Sequence, residues 1–116
     1  MNKYSARGLV ESVFVEKRDV LVVCKERRDV RHTFDELVAA ANTFGIPIAR
    51  MLRTSGAEEI TIRDAGKIIV RVDPDVIRVA AFDVIYFDYE PELDKAMAIT
   101  ELHGRRHPPL EIVRPS

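Results

Sequence analysis

The chain is poor in cysteine, with Cys24 alone among 116 residues. That excludes an internal disulfide, and the position of Cys24 inside an apolar run reads as a buried structural thiol rather than a nucleophile or ligand. Long apolar runs are also lacking: none approaches the roughly 20 residues of a membrane span, and no apolar segment with a small-residue cleavage site stands at the N-terminus. Neither insertion nor secretion is expected, and the expected compartment is the cytoplasm. Charge of one sign is missing as well. Eighteen Lys and Arg against nineteen Asp and Glu leave a net charge of -1, so no whole-molecule field draws in a polyanion. The five glycines form neither G-x-x-x-x-G-K-[ST] nor G-x-G-x-x-G, which excludes a built-in phosphate cradle and an autonomous ATPase. His32, His103 and His107 show no metal-ligand spacing with Cys24 or with each other, and surface or capping roles are expected of them. Ser5, Ser12, Ser55 and Ser116 have no G-x-S-x-G setting, so no nucleophile elbow is expected. No metal or cofactor is called for.

What is present is an ordinary globular balance, 47% hydrophobic and 32% charged, at a length that buries roughly two-thirds of the unfolded chain's surface. Val20 to Cys24 is a continuous β-branched run, the pattern of an interior strand covered on both faces. Asp29 is placed to cap a following helix, on which Val30, Phe34, Leu37, Val38 and Ala41 form one stripe before Gly45. Strand followed by amphipathic helix makes α/β the expected class, a two- or three-layer sandwich on a mainly parallel sheet. Ile46 to Ser55 is ambiguous, because Pro47 disfavours a helix through it. Glu59 to Arg63 and Lys67 to Asp73 alternate apolar and polar around Asp64-Ala65-Gly66, predicting a hairpin in which glycine supplies the positive φ. Phe82 to Phe87 predicts a second buried strand. Pro91 suits the first turn of a helix carrying Leu93, Ala96, Met97 and Leu102 and stopping near Gly104. Leu110 to Val113 predicts a last short strand. Residues 1–116 are expected to form a single domain.

In open α/β sheets ligands bind beyond the carboxyl ends of the strands. The groups to examine are therefore Lys25, Asp88, Glu90 and Ser116. An aspartate ending an apolar strand is how many nucleotide hydrolases hold Mg²⁺, and it is also how a strand end meets solvent or caps a helix. Arg105, Arg106 and Arg114 are candidate phosphate or nucleic-acid contacts, with simple solvation as the plainer reading. Tyr86 and Phe87 lie on opposite faces by strand alternation, and Tyr89 is the aromatic expected to be exposed.

Taken in order, four segments resemble the ATPase domain of phage large terminase subunits and, more distantly, superfamily 2 helicases. DVLVVCKERRDVRHTFDELVAA resembles the strand after the nucleotide-binding helix together with its own helix. RTSGAEEITIRDAGKIIVRV looks like the family's hairpin, FDVIYFDYEPEL like its Walker B strand, and HPPLEIVRPS like the next strand and coupling motif. The resemblance implies a truncated RecA-like, P-loop-type frame with Asp88 at the Mg²⁺-associated position and Ser116 near the coupling motif. Two departures accompany it: the Walker A strand and loop are missing, and Tyr89 stands where the catalytic glutamate belongs, with Glu90 displaced by one. Asp88 and Glu90 are then vestigial, and the implied function is a non-catalytic binding module of phage or prophage origin acting by protein–protein contact in the host cytoplasm. The alternatives are a split ATPase subunit completed by a partner, with Asp88 and Glu90 managing Mg²⁺ and water, and a small nucleic-acid-binding protein using Arg105, Arg106 and Arg114.

The same frame implies that strands 20 to 24, 83 to 87 and 110 to 113 lie side by side in that order. Leu110, Ile112 and Val113 then form a candidate interaction edge, available to self-association or to a strand of another chain. Leu9 to Val15 is expected to be a strand at that edge or at a dimer contact.

Overall fold

A computed structural model describes residues 1–72, 81–103 and 111–113. Its elements run α1 (Lys3–Glu16), β1 (Val20–Cys24), α2 (Arg27–Thr43), β2 (Ile48–Leu52), β3 (Glu59–Ile62), β4 (Lys67–Val72), β5 (Val84–Phe87), α3 (Leu93–His103) and β6 (Glu111–Val113). The six strands form one sheet in the order β2-β3-β4-β1-β5-β6. Neighbours are parallel from β4 through β1 and β5 to β6, and β2-β3-β4 is an antiparallel meander. The class is α/β, on a mixed and mainly parallel sheet.

β1 is the central strand, buried at all five positions, as its unbroken apolar run requires. Val20, Val22 and Cys24 face one layer with Ile68, Val70, Val84 and Tyr86, against α1 and α2. Leu21 and Val23 face the other with Ile69, Ile85 and Phe87, where Ile99 of α3 covers them. Tyr86 and Phe87 thus lie on opposite faces, as alternation predicts. Strand β4 is covered on both sides too. Arg71, which alternation would send to solvent, is buried, its Nη1 donating to the Glu58 and Val70 carbonyls at 2.8 and 2.9 Å.

The α2 stripe of Val30, Phe34, Leu37, Val38 and Ala41 is buried as predicted. Its start differs from the expectation. Glu26 occupies the N-cap position without a side-chain cap, and Asp29 sits inside the first turn, where its charge still favours the helix dipole. Gly45, at φ 68°, follows the helix end in the left-handed conformation glycine tolerates. Pro47 ends helical possibilities, and the chain continues as the edge strand β2.

Leu9 to Val15 is not a strand: it lies within helix α1. Ala6, Leu9, Val10 and Val13 are buried at three- and four-residue spacing, and Asn2 Oδ1 caps the helix by accepting from the Ser5 amide at 2.8 Å, so helical period outweighs β-branched content. Helix α1 lies over a face of the sheet, lining a cleft with Val84, Tyr86 and Val113. It does not extend the edge, and β6 is the outermost strand among the described residues.

At the β3-β4 turn the positive φ belongs to Asp64, at 55°, while Gly66 is not in that region. Gly66 is required for space: a Cβ there would lie 2.0 Å from the Arg18 carbonyl oxygen. Helix α3 likewise begins two residues after Pro91, with Ala96 N donating to the Glu92 carbonyl at 3.0 Å.

Candidate functional site

The chain leaves β1 through α2 toward β4, and leaves β5 through α3 toward β6. The two helices lie on opposite faces. The carboxyl ends of β1 and β5 therefore border a crevice where strand order diverges, the position at which open α/β sheets bind ligands. Cys24 and Lys25 follow one strand here, Asp88 to Glu90 the other.

Asp88 is anchored by its backbone, the amide donating to the Val23 carbonyl at 2.9 Å. Its carboxylate turns toward α2. The Thr33 hydroxyl donates to Oδ2 at 2.6 Å, and the Met1 ammonium lies 3.2 Å from Oδ1 and 4.0 Å from Glu36 Oε2. Cys24 is buried beneath this group, as expected of a structural thiol. Burial pushes its thiol up to about 12, opposed by the hydrogen bond with Thr33 and reinforced by the charges of Asp88 and Asp29.

Glu90 faces a different space. It lines a polar cleft of about 310 Å³ with Lys25, Tyr89, Glu92 and Lys95. Tyr89 is half-buried rather than exposed, its ring edge-on to Phe87 with centroids 6.3 Å apart. Asp88, bonded to α2, and Glu90, beside α3, do not converge on one point. Among the described residues no three His, Cys, Asp or Glu side chains are grouped for a metal ion, and no helix is long and apolar enough to cross a membrane.

A second site lies where α3 meets β6. Leu93 is 70%, Met97 54% and Ile112 47% exposed, and all three border one groove of about 510 Å³ whose wall includes Phe87, Pro91 and Ala96. Ile112 pairs with Ile85 across β5 and β6, so the groove prolongs the apolar layer beneath α3 past the sheet edge. Of the predicted edge residues, Ile112 is exposed and Val113 is half-buried against the α1–α2 layer. Leu110, Arg105, Arg106, His107, Arg114 and Ser116 lie outside the described residues.

Two features escaped the sequence reading. A groove of about 690 Å³ runs between α1 and α2, with Tyr4 and Phe44 on its walls. The Arg7 guanidinium sits 4.3 Å from the Phe44 ring centroid and Lys3 Nζ 5.3 Å from that of Tyr4. Recognising α1 as a helix would have exposed it, since Tyr4 and Arg7 share one outward face. The other is buried Glu58, whose Oε1 has no hydrogen-bond partner and which lies near Arg71; burial lowers the Arg71 guanidinium pKa and the Glu58 charge opposes that. His32 is a surface residue, Nε2 lying 2.6 Å from Glu36 Oε1.

Comparison with protein-family models, curated proteins and solved structures returns no significant match to this chain.

Proposed function

We propose that this chain is a non-catalytic protein-binding module on a terminase-like ATPase frame of phage or prophage origin, and that it captures an extended segment of another chain by strand addition to β6. The observation that carries the reading is the groove beside the edge strand: Leu93, Met97 and Ile112 present apolar surface along one side of it. An added strand would satisfy the outer backbone groups of β6, while alternate side chains entered the groove beneath α3. The parallel run β1-β5-β6 also agrees with the order implied by the resemblance, which expects a further strand beyond β6.

Selection of seven-residue peptides from a random display library on the whole chain tests this directly. The expected result is binders that slow amide exchange within β6 and lose affinity in Ile112→Lys and Met97→Lys, both exposed positions at which substitution leaves stability within about 0.5 kcal/mol. Failure to select any binder, or binding indifferent to both substitutions, overturns the proposal.

A second reading, the split ATPase, draws on Asp88 at the carboxyl end of β5, the Mg²⁺-associated position that the resemblance implies. Calorimetry with ATP-γ-S and Mg²⁺ separates the two. No heat of binding is expected from the wild type or Asp88→Ala; binding present in the first and lost in the second would favour the enzyme.

A further inference from the structure

We infer that Met97 makes capture at β6 sensitive to oxidation: peroxide converts its thioether to the sulfoxide, and the groove then releases its segment. The inference rests on the strand-addition reading and adds its regulation. Met97 stands on α3 one turn from Leu93, and both line the groove with Phe87 and Ile112. It is 54% exposed, so a small oxidant in water reaches the sulfur directly. The chain's other methionines, Met1 and Met51, do not line this groove; Met51 is exposed on β2 at the opposite edge of the sheet and serves as an internal control. Cys24 is buried and keeps its proton at neutral pH, and a thiol is a far poorer target than a thiolate.

The oxidant is hydrogen peroxide. A sulfur lone pair attacks one peroxide oxygen, the S–O bond forms as the O–O bond breaks, and the departing oxygen leaves as water; sulfur is oxidised by two electrons and the peroxide reduced by two. A flexible apolar side chain thereby becomes a polar one, whose oxygen requires a hydrogen-bond donor. In the free chain water supplies that donor, so the fold itself is little affected. Beneath the apolar side chain of an added strand the oxygen loses its water without a replacement, and the cost falls on the bound state alone. The bound segment also covers the sulfur and slows its oxidation.

A peptide selected on the unoxidised whole chain is the probe. Brief treatment of the chain with hydrogen peroxide, the added oxygen being located by peptide mass mapping, should weaken that peptide roughly five- to a hundredfold. Methionine sulfoxide reductases with a dithiol should restore the affinity, the oxygen leaving as water while the dithiol closes to a disulfide. Met51→Leu should lose affinity on oxidation as the wild type does, whereas the affinities of Met97→Leu before and after peroxide should agree, whatever the starting value. Bound peptide should slow oxidation at Met97 and not at Met51. Unchanged affinity once Met97 carries the oxygen, a loss the reductases do not reverse, or an equal loss in Met97→Leu overturns the switch and leaves strand addition standing. No binders at all, or binders indifferent to Ile112→Lys, overturn both.

Discussion

Gly66 and Gly8 show how one residue type carries opposite consequences in this chain. At Gly66 an added methyl group would meet the Arg18 carbonyl at 2.0 Å, a backbone atom that cannot swing away. Gly66→Ala should therefore destabilise the chain by about 1–3 kcal/mol through overpacking. Gly8 lies inside α1, and a Cβ there meets nothing within 4 Å. Gly8→Ala should stabilise by about 0.5–1 kcal/mol, the helix-interior cost of glycine. Urea denaturation of the two variants checks both signs. Cys24 makes a further residue-level prediction. Its thiol holds its proton to about 12 in the fold against an ordinary value of 9.0. The unfolded chain therefore loses that proton first, and the stabilisation, whole below pH 9, drains away as pH rises toward 12, by at most about 1.4 kcal/mol per pH unit. Stability measured from pH 8 to 10.5 should fall more steeply in the wild type than in Cys24→Ala, and iodoacetamide at pH 8 should spare Cys24 until the chain unfolds. Equal slopes, or prompt labelling of the native chain, would contradict the assignment.

Among the elements, β1 and α2 were legible because each carries a single unambiguous pattern, five successive apolar residues in one and a clean 3.6-residue stripe in the other. The β3-β4 hairpin was legible by alternation, whereas β2 was not, its segment being ambiguous beside Pro47. Helix α1 was not, since Leu9, Val10, Val13, Phe14 and Val15 are rich in strand formers; the deciding signals were the Asn2 cap and the spacing of the buried set. The stitching of strands at their amino ends also had no sequence signature. Asp83 Oδ2 accepts from the Asp19 amide at 2.8 Å, and Asp19 Oδ1 from the Lys67 amide at 3.1 Å, joining β1, β4 and β5 through side chains. Asp83→Ala should cost about 1–2 kcal/mol by taking the acceptor from the half-buried Asp19 amide. Asp83→Asn keeps an acceptor oxygen and should recover most of the loss in thermal melts. A similar drop in both would assign the effect to charge instead.

Over the whole molecule, the crevice between β1 and β5 could be anticipated, because the run of strand, helix and strand places Lys25 and Asp88 at carboxyl ends. Its internal arrangement could not. Whether Asp88 and Glu90 act together depends on which side of the sheet each leaves, and that is decided by helices far away in sequence. The two apolar layers are also unequal. Helix α2 buries seven side chains, whereas α3 contributes buried Ile99 and half-buried Ala96 among its described side chains. Local opening follows the smaller buried area. Native-state hydrogen exchange should therefore find α3 amides opening at a lower free energy than those of α2 and β1, and equal protection would show that the layers unfold together.

The central position of β1 bears on how the chain is made. Its neighbours are β4 and β5, with Val20 in register with Ile68 and with Val84. On a ribosome adding roughly 5–20 residues per second, β1 is the earliest strand synthesised, yet it waits for both partners until most of the polypeptide has followed. During that interval its apolar run has only α1 and α2 to shelter it, so a pause in translation before β5 would leave the nascent chain exposed to aggregation along the very strand that later becomes its interior.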